Sequence, residues 1–127
     1  MNKFVEMIKI FSDETRLRIL NILFQGEHCN CDLEEVLNIS QSNISKHLKK
    51  IMLLDLVSSR KSSYWTYYKI NKENFDKHPF MNELMKEIQY LEPFKSDLIK
   101  LKKYKSIPGR CQINLKEVSH EKKDNHF

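Results

Sequence analysis

Apolar residues recur every three or four positions along most of the chain, which is the spacing of helices that bury one face. A first helix is predicted over residues 3–11. A second helix begins after a cap at Ser12 or Asp13 and stops at Gly26, because glycine commonly follows the last helical turn. The first quarter of the chain is therefore predicted to be helical.

Two further helices are predicted close together in the next stretch. Asp32 can cap a short third helix that ends at Leu37, and Ser40 can cap a fourth helix whose Ile44 and Leu48 point inward. Only a tight turn separates these two helices. Two short helices joined in this way are typical of a helix-turn-helix.

A β-hairpin is predicted directly after the fourth helix. Residues 56–60 and 65–70 are rich in β-branched and aromatic side chains and flank a short polar turn. The turn contains no glycine, so we expect an unusual φ at Ser63. Trp65 and Tyr67 alternate on one strand face and are expected to join the core. The predicted fold class is mainly α with a β-hairpin, a winged helix-turn-helix.

Helical spacing returns from Phe80 to Tyr104, and Pro93 must break or restart that run. The chain then becomes polar. We predict one domain over residues 1–106, followed by a flexible C-terminal tail over residues 107–127.

Positive charge is concentrated where the helix-turn-helix and the hairpin are predicted. Residues 41–72 hold seven basic side chains against one acidic side chain, whereas residues 1–40 hold four against seven. Neutralisation of phosphates is the commonest reason for such a block, so double-stranded DNA is the predicted partner. An enzyme is not expected, because two glycines cannot build a phosphate-binding loop and no catalytic triad pattern is present.

The remaining composition favours a cytoplasmic protein without a membrane partner. No apolar run approaches the ~20 residues that span a bilayer, and the N-terminal residues do not resemble a signal peptide. A reducing cytoplasm and only three cysteines argue against a disulfide framework. Cysteines in such a protein are more often metal-binding, redox-active or simply buried.

Four ordered motifs at matching spacing give the chain a family resemblance. Together they resemble the ArsR/SmtB family of metal-sensing transcriptional repressors over about residues 3–90. The matching pieces are FSDETRLRIL (11–20), CNCDL (29–33), SQSNISKHL (40–48), and RK (60–61) with WTYYKI (65–70).

The resemblance implies a homodimeric winged helix that binds operator DNA. Dimer contacts would be made by the first and last helices, here around residues 4–11 and 80–91. Both segments carry apolar stripes, which agrees with that expectation.

The second helix of a helix-turn-helix enters the major groove, and a wing reaches the flanking minor groove or the backbone. Asparagine and glutamine can pair with adenine, and lysines suit phosphates. His47 is interpreted as mainly structural. The DNA-contacting residues are predicted to be Gln41, Ser42, Asn43, Ser45, Lys46, Lys49 and Lys50 on the helix, and Arg60, Lys61, Ser62, Ser63 and Tyr64 on the wing.

In the resembled arsenic sensors, cysteines at the positions of Cys29 and Cys31 bind arsenite or antimonite, and a third cysteine stands where this chain has Glu34. As(III) prefers three soft ligands, and thiolates are the soft choice. Cys111, from the same chain or from the dimer mate, could complete the site with these two, as could a small thiol or hydroxide. Binding both sulfurs to one atom is expected to strain or unwind the third helix and so to oppose DNA binding.

Three alternatives stay open. A repressor of the same fold could respond to oxidation, through a disulfide or polysulfide bridge between Cys29 or Cys31 and Cys111. It could instead respond to Cd(II), Zn(II) or Pb(II), with His28, Asp32 or Glu34 as harder co-ligands. The third alternative is a winged-helix module with a structural zinc that binds another protein.

Overall fold

The structure is a computed structural model that describes residues 2–107. All of the predicted tail except Ile107 lies outside the described residues, and so does Cys111. The helices are α1 (Lys3–Ile10), α2 (Glu14–Phe24), α3 (Asn30–Leu37), α4 (Gln41–Leu53), α5 (Lys72–Lys77), α6 (Pro79–Ile88) and α7 (Phe94–Lys105). The strands are β1 (His28–Cys29), β2 (Val57–Ser62) and β3 (Trp65–Ile70).

The first, second and fourth predicted helices are confirmed, with caps where the sequence placed them. The carboxylate of Asp13 accepts the backbone N–H of Arg16 at 3.0 Å, and the hydroxyl of Ser40 accepts that of Asn43 at 3.3 Å. Each side chain thereby satisfies an N–H group that has no partner within its helix.

The predicted start of α3 is wrong. The helix begins at Asn30, directly after Cys29, and Asp32 is its third residue rather than its cap. The carboxylate of Asp32 reaches back and accepts the backbone N–H of Cys29 at 3.3 Å. An acidic side chain at the third helical position stabilises a helix start in this way. Asp32 therefore stabilises the start of α3 from its first turn, although it is not the N-cap residue.

The three strands form one antiparallel sheet in the order β1-β3-β2. The hairpin of β2 and β3 is longer than predicted, because Ser62 pairs with Trp65 and leaves a two-residue turn. Ser63 has a φ of 61°, which confirms the expected unusual conformation. The two-residue strand β1 was not predicted, because so short a segment shows no periodicity.

The hydrophobic core lies where α2, α3 and α4 meet the inner face of the sheet, and α6 packs on α2. Tyr68 and Ile70 of β3 pack against it, whereas Trp65 and Tyr67 do not, so the expected core position of that pair is wrong. Side chains alternate along a strand, and the observed register directs the other set inward. The largest fully buried side chains include Ile19, Leu20, Leu33, Ile44, Leu48, Ile51, Phe75 and Met81.

The C-terminal helical run is interrupted as predicted at Pro93, which directly precedes α7. The short helix α5 was not predicted. The amide of Asn71 caps α5 by accepting the backbone N–H of Asn74 at 3.3 Å. Its NH₂ group donates to the carbonyl of Asp55 at 2.9 Å, which fixes the chain as it leaves the sheet.

An ion pair holds α7 on α2. The guanidinium of Arg18 donates to both carboxylate oxygens of Asp97, at 2.7 and 2.9 Å, and Asp97 is buried. The hydrogen bond to Asp97 raises the pKa of Arg18 above its ordinary value. Nearby, the amide of Asn21 donates to the carbonyl of Phe94 at 3.1 Å. These contacts fix α7 across α2, and α7 also packs on α3.

Candidate functional site

The outer face of α4 carries the residues predicted to contact DNA. Ile44, Leu48 and Ile51 are buried and anchor the helix in the core. The opposite face is polar and basic, because most of the side chains between these anchors are exposed to solvent. The exposed residues on it are Gln41, Ser42, Asn43, Ser45, Lys46, Lys49 and Lys50.

His47 lies between the buried and exposed faces of α4. Its Nδ1 is buried, has no hydrogen-bond partner among residues 2–107, and lies 3.9 Å from a carboxylate oxygen of Asp13. Burial lowers the pKa of His47 below its ordinary 6.5, and the nearby Asp13 carboxylate partly opposes that shift. His47 therefore lies at the edge of the core, and its mainly structural role stays a prediction.

The wing exposes all of the residues predicted to contact DNA, but one of them is already engaged. The guanidinium of Arg60 donates to the two carboxylate oxygens of Glu27 at 2.8 and 3.0 Å. It also lies 4.6 Å from the ring centroid of Tyr67, within cation–π range. The hydrogen bond from Arg60 lowers the pKa of Glu27. The wing is thus tied to the residue that precedes β1.

The sulfur atoms of Cys29 and Cys31 are in direct contact, as in a disulfide. The two residues are only 1% and 7% exposed. The helix α3 nevertheless begins at Asn30, directly after Cys29. The two sulfurs thus lie in contact without unwinding the start of α3, and the expectation that a ligand bound to both would strain this helix stays a prediction.

A buried carboxylate lies beside the two sulfurs. Asp32 is 1% exposed, and one sulfur from each cysteine and one oxygen of Asp32 all lie within 4.8 Å of one another. The same carboxylate is 3.3 Å from His28 Nδ1 and 3.7 Å from the ammonium of Lys105 in the last turn of α7. Sulfur, oxygen and imidazole donors thus meet at the start of α3.

The other candidate ligands are not in this group. Glu34 accepts a hydrogen bond from the amide of Asn30 at 3.4 Å and does not join the cluster of possible metal ligands. Cys111 lies outside the described residues. Among the harder co-ligands considered from the sequence, the structure brings Asp32 to the cysteines, and His28 contacts Asp32 without joining the cluster.

The cysteine segment is also part of the sheet that carries the wing. Cys29 of β1 pairs with Tyr67 of β3, and Asn30 accepts the backbone N–H of Thr66 at 3.2 Å through its side chain. Sequence reasoning missed these contacts, because they join residues more than thirty positions apart and leave no local signal.

Comparison with known proteins agrees with a DNA-binding winged helix. Residues 13–59 match the sequence profile of the bacterial regulatory protein, arsR family. The arsenical resistance operon repressor of Staphylococcus xylosus is 40% identical over 70 residues, which make up 55% of this chain and 67% of the relative. The chain therefore belongs to the ArsR family. It is a transcriptional repressor and not an enzyme.

Solved structures give the same fold. HlyU from Vibrio cholerae N16961 aligns with a TM-score of 0.59 and 27% identity, covering 71% of this chain and 91% of that one. A homodimeric winged helix-turn-helix DNA-binding domain from Mycobacterium bovis aligns with a TM-score of 0.58 and 20% identity, covering 69% and 82%. Within residues 2–107, no helix is long and apolar enough to cross a membrane.

Proposed function

We propose that this chain represses transcription from operator DNA and is released when arsenite or antimonite binds Cys29 and Cys31. The observation that carries the proposal is the buried pair of sulfurs in contact at the start of the first helix of the helix-turn-helix. Trivalent arsenic and antimony are soft and favour thiolates. Reduced thiols are required, which suits a protein working in the cytoplasm.

Cys111 is the proposed third thiolate, since the position of Glu34 cannot supply one. Arsenite, As(OH)₃, exchanges each hydroxyl for a cysteine sulfur and releases one water per bond. Two bonds to Cys29 and Cys31 leave one hydroxyl for a third sulfur to replace. The reaction changes no oxidation state and no net charge.

The DNA face has the chemistry of a major-groove reader. Gln41 and Asn43 stand exposed in the first turn of α4, where a recognition helix meets base edges, and both can pair with adenine. Lys46, Lys49 and Lys50 follow on the same exposed side and suit phosphates. Lys61 and Tyr64 at the tip of the wing would reach the flanking backbone.

A homodimer is proposed because an apolar aromatic surface joins α1 and α6. Phe4, Ile8 and Phe80 are 45%, 45% and 38% exposed, although large apolar side chains are usually covered. The ring of Phe80 packs against those of Phe4 and Phe11, with centroids 5.7 and 6.2 Å apart, so the surface is continuous. A second copy of the chain would cover it and would place two recognition helices on one operator.

Ligand binding would reach the DNA face by two routes. Cys31 belongs to α3, which packs on the recognition helix α4. Cys29 belongs to β1, whose partner strand β3 forms one side of the wing. Movement of the sulfurs to their bonding distances on arsenic would therefore shift both DNA-contacting elements, so that inducer and operator oppose each other.

The wing route gives a testable variant, Glu27→Gln. It removes the charge that holds Arg60 beside β1 while leaving the cysteines untouched. We expect operator affinity to change less than about threefold, and the arsenite-dependent loss of affinity to shrink by several-fold, since one of two connections is weakened. Binding curves with and without arsenite measure both quantities. The matched control is Glu73→Gln, which removes an exposed acid paired with Lys77 on α5. Equal arsenite responses in wild type and Glu27→Gln would exclude the wing route.

The proposed function is tested by fluorescence anisotropy of reduced protein on its own upstream promoter DNA, titrated with arsenite. Specific, salt-dependent binding that arsenite reverses is the expected result. DNA binding that arsenite does not change would support a repressor but would contradict arsenite as its inducer. Binding no tighter than that to unrelated DNA would show that this promoter does not contain the operator.

The contact between the two sulfurs also favours a second candidate signal, thiol oxidation. The observed pair is Cys29 with Cys31, whereas the sequence interpretation paired one of them with Cys111. An oxidising disulfide reagent that released promoter DNA, with reversal by a dithiol and no effect of arsenite, would support this alternative.

A further inference from the structure

A second basic surface lies outside the helix-turn-helix and the wing, on α7. This helix holds five lysines and a single acidic residue, Asp97, which is buried and paired with Arg18. Lys105 contacts the carboxylate of Asp32 at 3.7 Å. The other lysines of α7 are exposed and form no ion pair within residues 2–107; they are Lys95, Lys100, Lys102 and Lys103. Most of the positive charge of α7 thus faces solvent without an acidic partner in the described part of the chain.

Two of these lysines lie on the side of α7 that meets the helix-turn-helix. Lys100 and Lys103 are three residues apart, so they are neighbours on one face of the helix. They line a shallow groove between α7 and α3, together with Glu35, Val36, Asn38, Tyr104 and Ile107. Lys95 and Lys102 are two helical turns apart, share a different face and do not line this groove. The basic surface of α7 therefore has one side next to α3 and one side away from it.

The helix α7 is fixed along the first helix of the helix-turn-helix. Lys105 contacts Asp32 in the first turn of α3, and the groove extends to Asn38, the residue that ends α3 before the turn to α4. The bidentate pair of Arg18 with Asp97 holds the other end of α7 on α2. The lysines of α7 are therefore carried by an element whose position relative to α3 and α4 is defined.

A helix that follows α3 is placed near the backbone of bound DNA. In a helix-turn-helix the second helix, here α4, enters the major groove, and the first helix, here α3, crosses the backbone. A lysine ammonium on its flexible stem binds phosphate as a point charge. Since Lys100 and Lys103 are exposed beside α3, phosphates of the strand that α3 crosses are the complementary partner.

We propose that α7 is a further DNA-binding element, and that Lys100 and Lys103 bind backbone phosphates next to the major groove that α4 enters. The inference rests on the proposed function, because it requires DNA seated on α4 and the wing. Phosphate contacts position a protein on the duplex, whereas base contacts specify the sequence. The lysines of α7 thus add affinity and fix the orientation of the repressor without changing which bases it reads.

One acidic residue, Glu35, lines the same groove. It is exposed and forms no ion pair with Lys100 or Lys103. Its negative charge repels a phosphate that approaches the two lysines. Removing this charge should therefore strengthen DNA binding, whereas removing the lysine charges should weaken it. A gain in affinity is useful for the test, because damage to the fold would not produce it.

The test is the salt dependence of DNA affinity, measured by anisotropy of the reduced protein on promoter DNA and on an unrelated duplex of equal length. The logarithm of the binding constant falls with the logarithm of salt concentration, with a slope of about −0.9 per neutralised phosphate. Lys100→Gln combined with Lys103→Gln should make the slope shallower by about 1.8 per bound chain. Lys95→Gln with Lys102→Gln removes the same charge from the other face and should keep the wild-type slope. Glu35→Gln should bind DNA roughly threefold more tightly at low salt.

A shallower slope in the groove variant alone, on both duplexes, is the supporting result. A wild-type slope in that variant would overturn the inference, because it would mean that α7 contacts no phosphate. Equal changes in the two double variants would overturn it as well, since net charge and not a contact would then explain the effect. Promoter binding that is no tighter than binding to the unrelated duplex, or that arsenite does not change, would count against the proposed function. The slopes would still decide the inference, because phosphate contacts do not depend on sequence.

Discussion

Serine at position 29 or 31 is expected to abolish arsenite-induced release while leaving operator binding within a few-fold of wild type. Serine replaces each sulfur by an oxygen of similar shape, so the start of α3 and the β1–β3 pairing should persist. A hydroxyl is a hard and weakly acidic donor that As(III) does not favour. Coupling between two sites typically changes affinity about 5–150-fold. Because each variant lacks one of the two thiolates, its operator affinity should be the same with and without arsenite, within experimental error.

The measurement is promoter binding by anisotropy across an arsenite titration, with Cys111→Ser as the matched control. A partial response in Cys111→Ser alongside none in the other two variants would fit a third ligand that strengthens a two-thiolate site. Full response in Cys29→Ser and Cys31→Ser would place the inducer elsewhere. Reduced DNA binding in both variants without arsenite would show that the substitutions damage the fold.

Alanine at position 18 is expected to destabilise the protein by about 3 kcal/mol, because breaking a buried ion pair leaves the other charge without compensation. Asp97 is 2% exposed and accepts two hydrogen bonds from the Arg18 guanidinium. The free energy of unfolding in urea measures the loss, on a protein whose two-state behaviour is first checked with two probes.

A double-mutant cycle isolates this ion pair from other effects of the substitution. Arg18→Ala combined with Asp97→Asn should cost clearly less than the sum of the single changes, because the uncompensated carboxylate is gone. Lys95→Ala, at an exposed position on α7, is the control and should lie within about 0.5 kcal/mol of wild type. An additive cycle would mean that α7 is held by apolar packing instead.

The sequence predicted the parts of the fold that are encoded locally. The spacing of Ile44 and Leu48 behind a cap at Ser40 defines α4 without reference to any other element, and the structure agrees. The strand β1 escaped prediction because two residues carry no pattern, and their strand character comes from pairing with Tyr67 and Tyr68. The inward face of β3 was assigned wrongly, because both faces of that strand carry aromatic residues.

The candidate site also has a part that the sequence predicts and a part that it does not. The cysteines could be found from their spacing and from the family resemblance. Lys105 could not, because it meets His28 across 77 positions of sequence and belongs to a helix rich in similar lysines. The partner of Arg60 was equally hidden, since nothing in the sequence around position 60 points to Glu27. Long-range electrostatic pairs of this kind depend on the packing of whole elements.

The half-buried Trp65 at the start of β3 has an optical consequence. It is the only tryptophan of the chain, so the intrinsic fluorescence excited at the red edge of protein absorption comes from the wing alone. The strand that bears it also pairs with the cysteine segment. Emission from the unlabelled repressor would therefore report, in real time, how the hairpin responds to DNA and to thiol ligands, without the perturbation of an attached dye.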